Sequence, residues 1–425
     1  MADEHEHSAE GQQDTTGRKQ ELVGNTEPPQ RKALTEVAIL FLRLGFTAFG
    51  GPAAHIAMMR DEVVKRRKWI SDERFVDLWG TCNLIPGPTS TEMAMYLGYQ
   101  RVGWRGLILG GVCFIGPAML IVLALAWAYV TLGSLPQVAW LFYGIKPVVV
   151  AIICYALWGL CRTVLKGVWQ VIVAVLVLAL YLLGVNVLIL LFAGGLFYGL
   201  VRIAERWYRQ KHAPVKPPLS SLVGIFALRP RWQASLAVPF VSFTATVVPF
   251  SLLTLFLTFL KIGAILYGSG YVLLAFLRSD FVLQLHWLTD RQLLDAIAIG
   301  QFTPGPLFTT ATFIGYVVGG LPGALIATLG IFLPSFFFIP LVHPVATRLR
   351  RSPWTAPLLD GVNIAALALM AGVLVQLGQN ALTDILTWVI AIIAFGILLR
   401  FKINSAWLIL AGAIIGIVRF WLFGR

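Results

Sequence analysis

Apolar residues run through this chain in stretches long enough to bridge a bilayer, separated by short polar clusters. A spanning helix needs about 20 mostly apolar residues, and residues 106–132, 137–160 and 321–342 each supply such a run. Residues 168–183 and 187–201 are shorter and read as a tight hairpin in a locally thin region. Two further kinds of segment are apolar but interrupted. Residues 34–48 lead into Phe49-Gly50-Gly51-Pro52 before 53–67, and 252–266 lead into Tyr267-Gly268-Ser269-Gly270 before 271–277. Residues 71–85 lead into Pro86-Gly87-Pro88 before 89–99, and 289–303 lead into Pro304-Gly305-Pro306 before 307–316. The pattern predicts an all-α polytopic membrane protein whose helices are broken at glycine and proline.

The breaks belong to an internal repeat. Residues 41–88 align without a gap to residues 259–306, pairing Gly45 with Gly263, Gly50 with Gly268, Arg60 with Arg278, Trp69 with Trp287, Asp72 with Asp290 and Asp77 with Asp295. After a one-residue shift the match continues through Gly98 and Gly315, Gly106 and Gly323, and Pro117 and Pro334. Lysine and arginine at helix ends favour the cytoplasm, and their distribution orients the two halves. Arg60, Lys65, Arg66, Arg67 and Lys68 follow the first broken segment, whereas the second half keeps only Arg278 there. Conversely, Arg348, Arg350 and Arg351 fall opposite the uncharged stretch 131–134. The repeats are therefore expected to be inverted, an architecture common among secondary transporters, with a site at their interface. The expected organisation is a disordered cytoplasmic tail (1–33), a first repeat (34–201), a basic cytoplasmic linker (202–233), a connecting helix that flips the second half (234–251) and a second repeat (252–425).

Backbone freed by glycine or proline is tolerated at membrane depth only where protein or a watery cavity surrounds it. The four breaks thus point inward. A proline at the start of the following helix costs no hydrogen bond, and the free N–H groups with the positive dipole end favour an anion. Asn83 and Gln301 are aligned amides three residues before their prolines. Thr89, Ser90 and Thr91 follow the first Pro-Gly-Pro, and Thr303, Thr309 and Thr310 surround the second. The candidate substrate site is accordingly Gly50, Gly51, Pro52, Asn83, Pro86, Gly87, Pro88, Thr89 and Ser90 with Gly268, Ser269, Gly270, Gln301, Thr303, Pro304, Gly305 and Pro306.

Charges inside apolar segments are costly and are functional candidates by default. Arg43 and Lys261 are aligned, each seven residues before its glycine break, and are expected to offset the anion's charge. Lys146, preceding Pro147, is a weaker third cation. Glu92, replaced by Thr310 in the second half, is the candidate for a coupling proton, with pairing to Arg43 as the other reading. His55 is expected to pack or make one hydrogen bond. Asp72 and Asp290 are read as helix N-caps.

Composition narrows the function further. The chain has 425 residues, 58% hydrophobic and 12% charged, against roughly a quarter charged in soluble domains. Its net charge of +13 is spread over short clusters without interleaved aromatics, which excludes a nucleic-acid partner and suits contact with anionic lipid headgroups. Cys82, Cys113, Cys154 and Cys161 lack CxxC spacing, so neither a disulfide framework nor a metal site is expected. No ATP site is expected, because the chain has no GxxxxGK[ST] phosphate loop, and no cofactor is expected. An integral membrane enzyme is the reading from another class, but HxxEH and GxSxG are missing.

With these motifs assembled, the chain resembles the chromate ion transporter family in its long, two-domain form. The resemblance rests on residues 44–59 (LGFTAFGGPAAHIAMM), the Trp69 region, 83–94 (NLIPGPTSTEMA), 103–117 (GWRGLILGGVCFIGP) and the second TPGP at 303–306. It implies a non-enzymatic secondary transporter of the cell (inner) membrane that exports chromate and confers resistance, with sulfate as a similar competitor and the alternative substrate. The second half departs from the pattern in having Gly268-Ser269-Gly270 for Gly50-Gly51-Pro52 and no acid at the position of Glu92.

Overall fold

A computed structural model describes residues 30–133, 135–211, 249–267, 270–345, 355–401 and 403–423. Residues 212–248, which hold most of the expected linker and connecting helix, lie outside the described residues, as does nearly all of the expected tail. The described chain is helical throughout, without strands. Among the described residues six helices are long and apolar enough to cross a membrane. Between a quarter and a little over half of each is buried against protein, and the rest presents leucine, isoleucine, valine and aromatic side chains outward, as lipid-facing helices must.

The first half opens with α1 (Gln30–Thr47), α2 (Gly51–Arg60), α3 (Asp72–Cys82) and α4 (Thr89–Val102). The long α5 (Trp104–Leu132) and α6 (Pro136–Val164) follow, then α7 (Val168–Leu182) and α8 (Val187–Lys211). The second half repeats the order with α9 (Leu252–Ile265), the short α10 (Leu273–Leu277), α11 (Asp290–Phe302) and α12 (Thr310–Val342). It closes with α13 (Thr355–Ala381), α14 (Ile385–Arg400) and α15 (Ser405–Phe423). α12 merges the counterparts of α4 and α5, kinking at Gly319 and Gly320, where the backbone leaves helical geometry.

Both halves depart from the expected helices at the same place. The segment after the first glycine break is not one helix: α2 gives way to a π-helical turn, Asp61–Arg66, and α10 gives way to another, Arg278–Gln284. Asp72 and Asp290 are not the caps expected of them. Ser71 and Thr289 cap α3 and α11, and the aspartates instead accept two hydrogen bonds each from the aligned arginines. Arg60 donates to Asp72 at 2.6 and 2.5 Å, and Arg278 to Asp290 at 2.7 and 3.2 Å. The planar guanidinium fork matches a carboxylate in this way, and at the surface turn Arg60 holds the Asp72 carboxyl below its usual range. Each pair clamps the π-helical turn onto the next helix.

Equivalent helices run in opposite directions. The two arms of α12 fold back on one another at the Gly319 and Gly320 kink, with Thr312 and Thr328 hydrogen-bonded at 2.7 Å. Along α5, Gly111 lies beside Phe336 of the second arm, while Tyr129, eighteen residues on, stacks edge-on with Phe313, whose neighbour Thr312 meets the earlier part of that arm. α5 therefore ascends as its counterpart arm descends, and the repeats are inverted. They are also interleaved. α6 packs on α14 and α15 of the second half, and its counterpart α13 packs on α7 and α8 of the first. Glycine makes both crossings possible. A Cβ on Gly144 of α6 would fall 1.9 Å from the Gly412 carbonyl of α15, and one on Gly361 of α13 would fall 2.6 Å from the Gly195 carbonyl of α8. Small residues let membrane helices approach to backbone contact, where dispersion replaces the missing hydrophobic drive.

Candidate functional site

At the centre the two Pro-Gly-Pro turns cross over. The Gly87 amide donates to the Leu266 carbonyl at 2.8 Å, and the aligned Gly305 amide donates to the Ala48 carbonyl at 2.8 Å. Each half thus satisfies the carbonyl left free where the first helix of the other half breaks, and all four interruptions meet. Both glycines hold positive φ, 140° and 95°, and neither has room for a side chain. A Cβ at Gly87 would lie 2.4 Å from Glu92 Oε1, and one at Gly305 2.7 Å from the Ala118 Cβ.

A cavity of about 570 Å³ opens at this crossing. Every break contributes to its wall: Pro52 and Ala53 from the first, Pro88, Thr89 and Ser90 from the second, Gly270 and Val272 from the third, Leu307 and Phe308 from the fourth. α2 and α4 begin at the wall, so two helix N-termini are directed at the space. The first-turn amides of α4 have no intrahelical acceptor, and the dipole favours negative charge. Asn83, Thr163 and Asn363 add an amide, a hydroxyl and a second amide, Trp79 flanks them, and no charged side chain lines the cavity. Of the predicted residues, Pro52, Asn83, Pro88, Thr89, Ser90 and Gly270 come together here. Pro86, Pro304, Pro306, Gly50 and Gly51 shape the turns without lining it. Gln301 and Thr303 stand behind the wall: Thr303 is tied to the Ile299 carbonyl at 2.7 Å, and the Gln301 amide nitrogen is buried without a hydrogen-bond partner. Gly268 and Ser269 lie outside the described residues.

Arg43 and Lys261 do not line this cavity. Arg43 lies 3.7 Å from Glu62 with its side chain largely exposed, and Lys261 lies 2.8 Å from Asp280. Glu62 and Asp280 are themselves aligned, so the repeated cations form repeated braces between each first helix and its π-helical turn. Glu92 does not pair with Arg43 either. It is fully buried one turn into α4, its Oε1 accepts from the Ser335 hydroxyl at 3.3 Å, and its Oε2 has no hydrogen-bond partner. His55 is buried with Nε2 donating to the Ala48 carbonyl at 3.0 Å, the single bond expected of it. Lys146 forms a buried ion pair with Asp295 at 3.0 Å, and Tyr129 donates to the other Asp295 oxygen at 3.0 Å.

Besides apolar wall residues, the sequence reading missed Thr163, Asn363 and Trp79, the cavity residues there that carry a polar group. Asn363 carried a signal: it is a lone amide in an apolar run, and continuing the repeat alignment puts it opposite Lys146. Thr163 carried none, being one of many hydroxyls near a helix end. Among the described residues no group of histidine, cysteine and carboxylate side chains is placed to hold a metal ion.

The sequence model of the family described as Chromate transporter matches residues 35–200 and again residues 253–417. A chromate transport protein of Cupriavidus metallidurans is 34% identical over 407 residues, covering 94% of this chain and 96% of its own. A probable chromate transport protein of Synechococcus elongatus is 32% identical, covering 92% of this chain and 96% of its own. A chromate transport protein of Pseudomonas aeruginosa is 32% identical, with 88% and 90% covered. No solved structure matches.

Proposed function

The chain belongs to the chromate transporter family, and from that premise we propose that it exports chromate from the cytoplasm, conferring chromate resistance, with the cavity between the four breaks as the anion site. The observation that carries this reading is the convergence of all four breaks on one space walled by amides, hydroxyls and two helix N-termini. A tetrahedral oxyanion presents acceptors in every direction and needs donors from several elements at once. Asn83, Thr89, Ser90 and Asn363 surround the space in that manner. The anion's charge is met by helix ends rather than by a lysine or arginine. A site without a fixed cation holds a dianion weakly enough to release it, as a transport site must. Sulfate has the same shape and charge and is the expected competitor.

The basic ends of α4, α6 and α8, with Arg101, Arg162 and Arg202, support placing those ends and the N-terminal tail on the cytoplasmic side of the cell membrane, against anionic headgroups. The cavity wall includes the last turn of α6, Leu160 to Val164, so in this arrangement the anion arrives from the cytoplasm. A negative interior then drives its exit, each charge moved through 100 mV being worth about 2.3 kcal/mol. Glu92 is the candidate coupling group. Its ionised form would set a second negative charge beside the anion, so proton uptake at Glu92 and anion binding favour each other. The test is uptake of labelled chromate into inside-out vesicles, with and without sulfate, phosphate and molybdate. Chromate uptake depressed by sulfate and absent from vesicles lacking the protein supports the reading, and uptake indifferent to the protein overturns it.

A further inference from the structure

The inverted repeat pairs Pro52 with Gly270 and Thr89 with Leu307 at the centre of the cavity. It gives the outer wall, Trp79 of α3 and the last turn of α6, counterparts on the opposite side of the molecule, and the two sets are not in the same state. Trp79 of α3 is 40% exposed at the cavity wall, while its counterpart Ile297 of α11 is fully buried. Asp77 is exposed, while its counterpart Asp295 is 4% exposed. The last turn of α6 lines the cavity, while the equivalent Leu377 and Ala381 of α13 are buried. The first-half vestibule is thus open and its second-half mirror is shut.

What closes the second vestibule is visible. α11 lies against α6, and the contact is fastened by Lys146 of α6 paired with Asp295 of α11, with Tyr129 of α5 donating to the same carboxylate. A buried carboxylate and ammonium hold each other firmly because either one left alone is costly. The corresponding place in the open vestibule is occupied by Asn363, which lines the cavity instead of gripping α3. The two closures are therefore chemically unequal: one has a cation and the other an amide.

We propose that Lys146, Asp295 and Tyr129 form the latch that keeps the second vestibule shut while the first is open, so that Lys146 and Asp295 are positioning residues for alternation between the two faces. The latch rests on the transport reading above but not on chromate as the substrate. Opening the second vestibule separates Lys146 from Asp295 and exposes α11. In the same motion the weaker Asn363 side closes on α3. The resting protein favours the arrangement seen here because this closure pairs Lys146 with Asp295, where the position aligned with Lys146 carries the uncharged Asn363.

The test is amide hydrogen exchange on the full-length protein in lipid nanodiscs without chromate, following the peptides that cover α3 and α11. In the native protein α3 is expected to exchange faster than α11. Lys146→Met and Asp295→Asn, run in parallel, are each expected to speed exchange in α11 and slow it in α3, both by about tenfold. The charge-swapped pair Lys146→Asp with Asp295→Lys restores the native order. The opposite movement of α3 marks a latch, because a merely loosened helix would speed α11 and leave α3 alone. Exchange that rises in α11 only, or changes in neither helix, overturns the proposal, and so does a charge swap that behaves like the single variants. Failure of chromate uptake with reciprocal exchange intact would reject the substrate and keep the latch.

Discussion

Asn83 and Ser90 stand on the cavity wall with a donor each, and their removal separates binding from folding. A hydrogen bond to a charged group contributes about 1.5–3 kcal/mol, so Asn83→Ala and Ser90→Ala are each expected to raise the KM for chromate by about tenfold or more, with near-normal protein abundance. Initial uptake rates across a chromate series check this. Glu92→Gln is expected to preserve uptake driven by an imposed membrane potential and to abolish its response to an imposed pH gradient, measured in the same vesicles. Lys261→Ala should act differently from both. It strips Asp280 of its partner 2.8 Å away, a loss of about 2 kcal/mol, intermediate between surface and buried pairs. A lowered melting temperature with an unchanged KM is the expected outcome. These contrasts follow from what was legible at this scale. Donors adjoining a break announced themselves, because polar groups at an interruption in apolar sequence have few other uses. The cations were visible too, but Glu62 and Asp280 lie 19 residues further along the chain in each half, and nothing local reveals that the pairs close on one another.

At the scale of elements, the breaks were the most readable feature and the helices between them the least. Glycine and proline fix where α1, α3, α9 and α11 end: the structure ends α1, α9 and α11 one residue before the expected places and α3 three residues before, at Cys82. The π-helical turns after Arg60 and Arg278 could not be read, since their cause is a distant clamp: Asp72 and Asp290 grip those arginines across the following loop. The crossing turns yield a sharp expectation. Gly87→Ala places a side chain at φ 140° against Glu92 and Ser335, combining backbone strain of about 1–3 kcal/mol with a steric clash. Loss of most transport and of detergent-solubilised monodisperse protein is expected, read by size-exclusion chromatography. Gly144→Val tests the swap between halves, because its side chain would meet the Gly412 backbone. That variant should lose thermal stability by several degrees while leaving the cavity donors untouched.

For the whole molecule, the internal alignment foretold two related halves, and the charge bias foretold their inversion. Neither foretold that α6 and α13 would exchange partners, because a repeat in sequence does not say which copy a helix packs against. That exchange carries Thr163 of one half and Asn363 of the other to a single wall, and it places Lys146 of the first half over Asp295 of the second. The asymmetry between the two vestibules was also hidden, since it is a property of the state adopted rather than of the repeat. The direct measurement of the central idea, that four helix breaks share one chromate ion, is equilibrium binding of labelled chromate to purified protein in nanodiscs, compared between the native chain and the double variant Asn83→Ala with Asn363→Ala. The two amides reach the cavity from opposite halves. Saturable binding that sulfate displaces and that the double variant weakens by at least about a hundredfold, two charged hydrogen bonds' worth, is the expected result. Native-strength binding by the double variant would contradict a shared site between the halves.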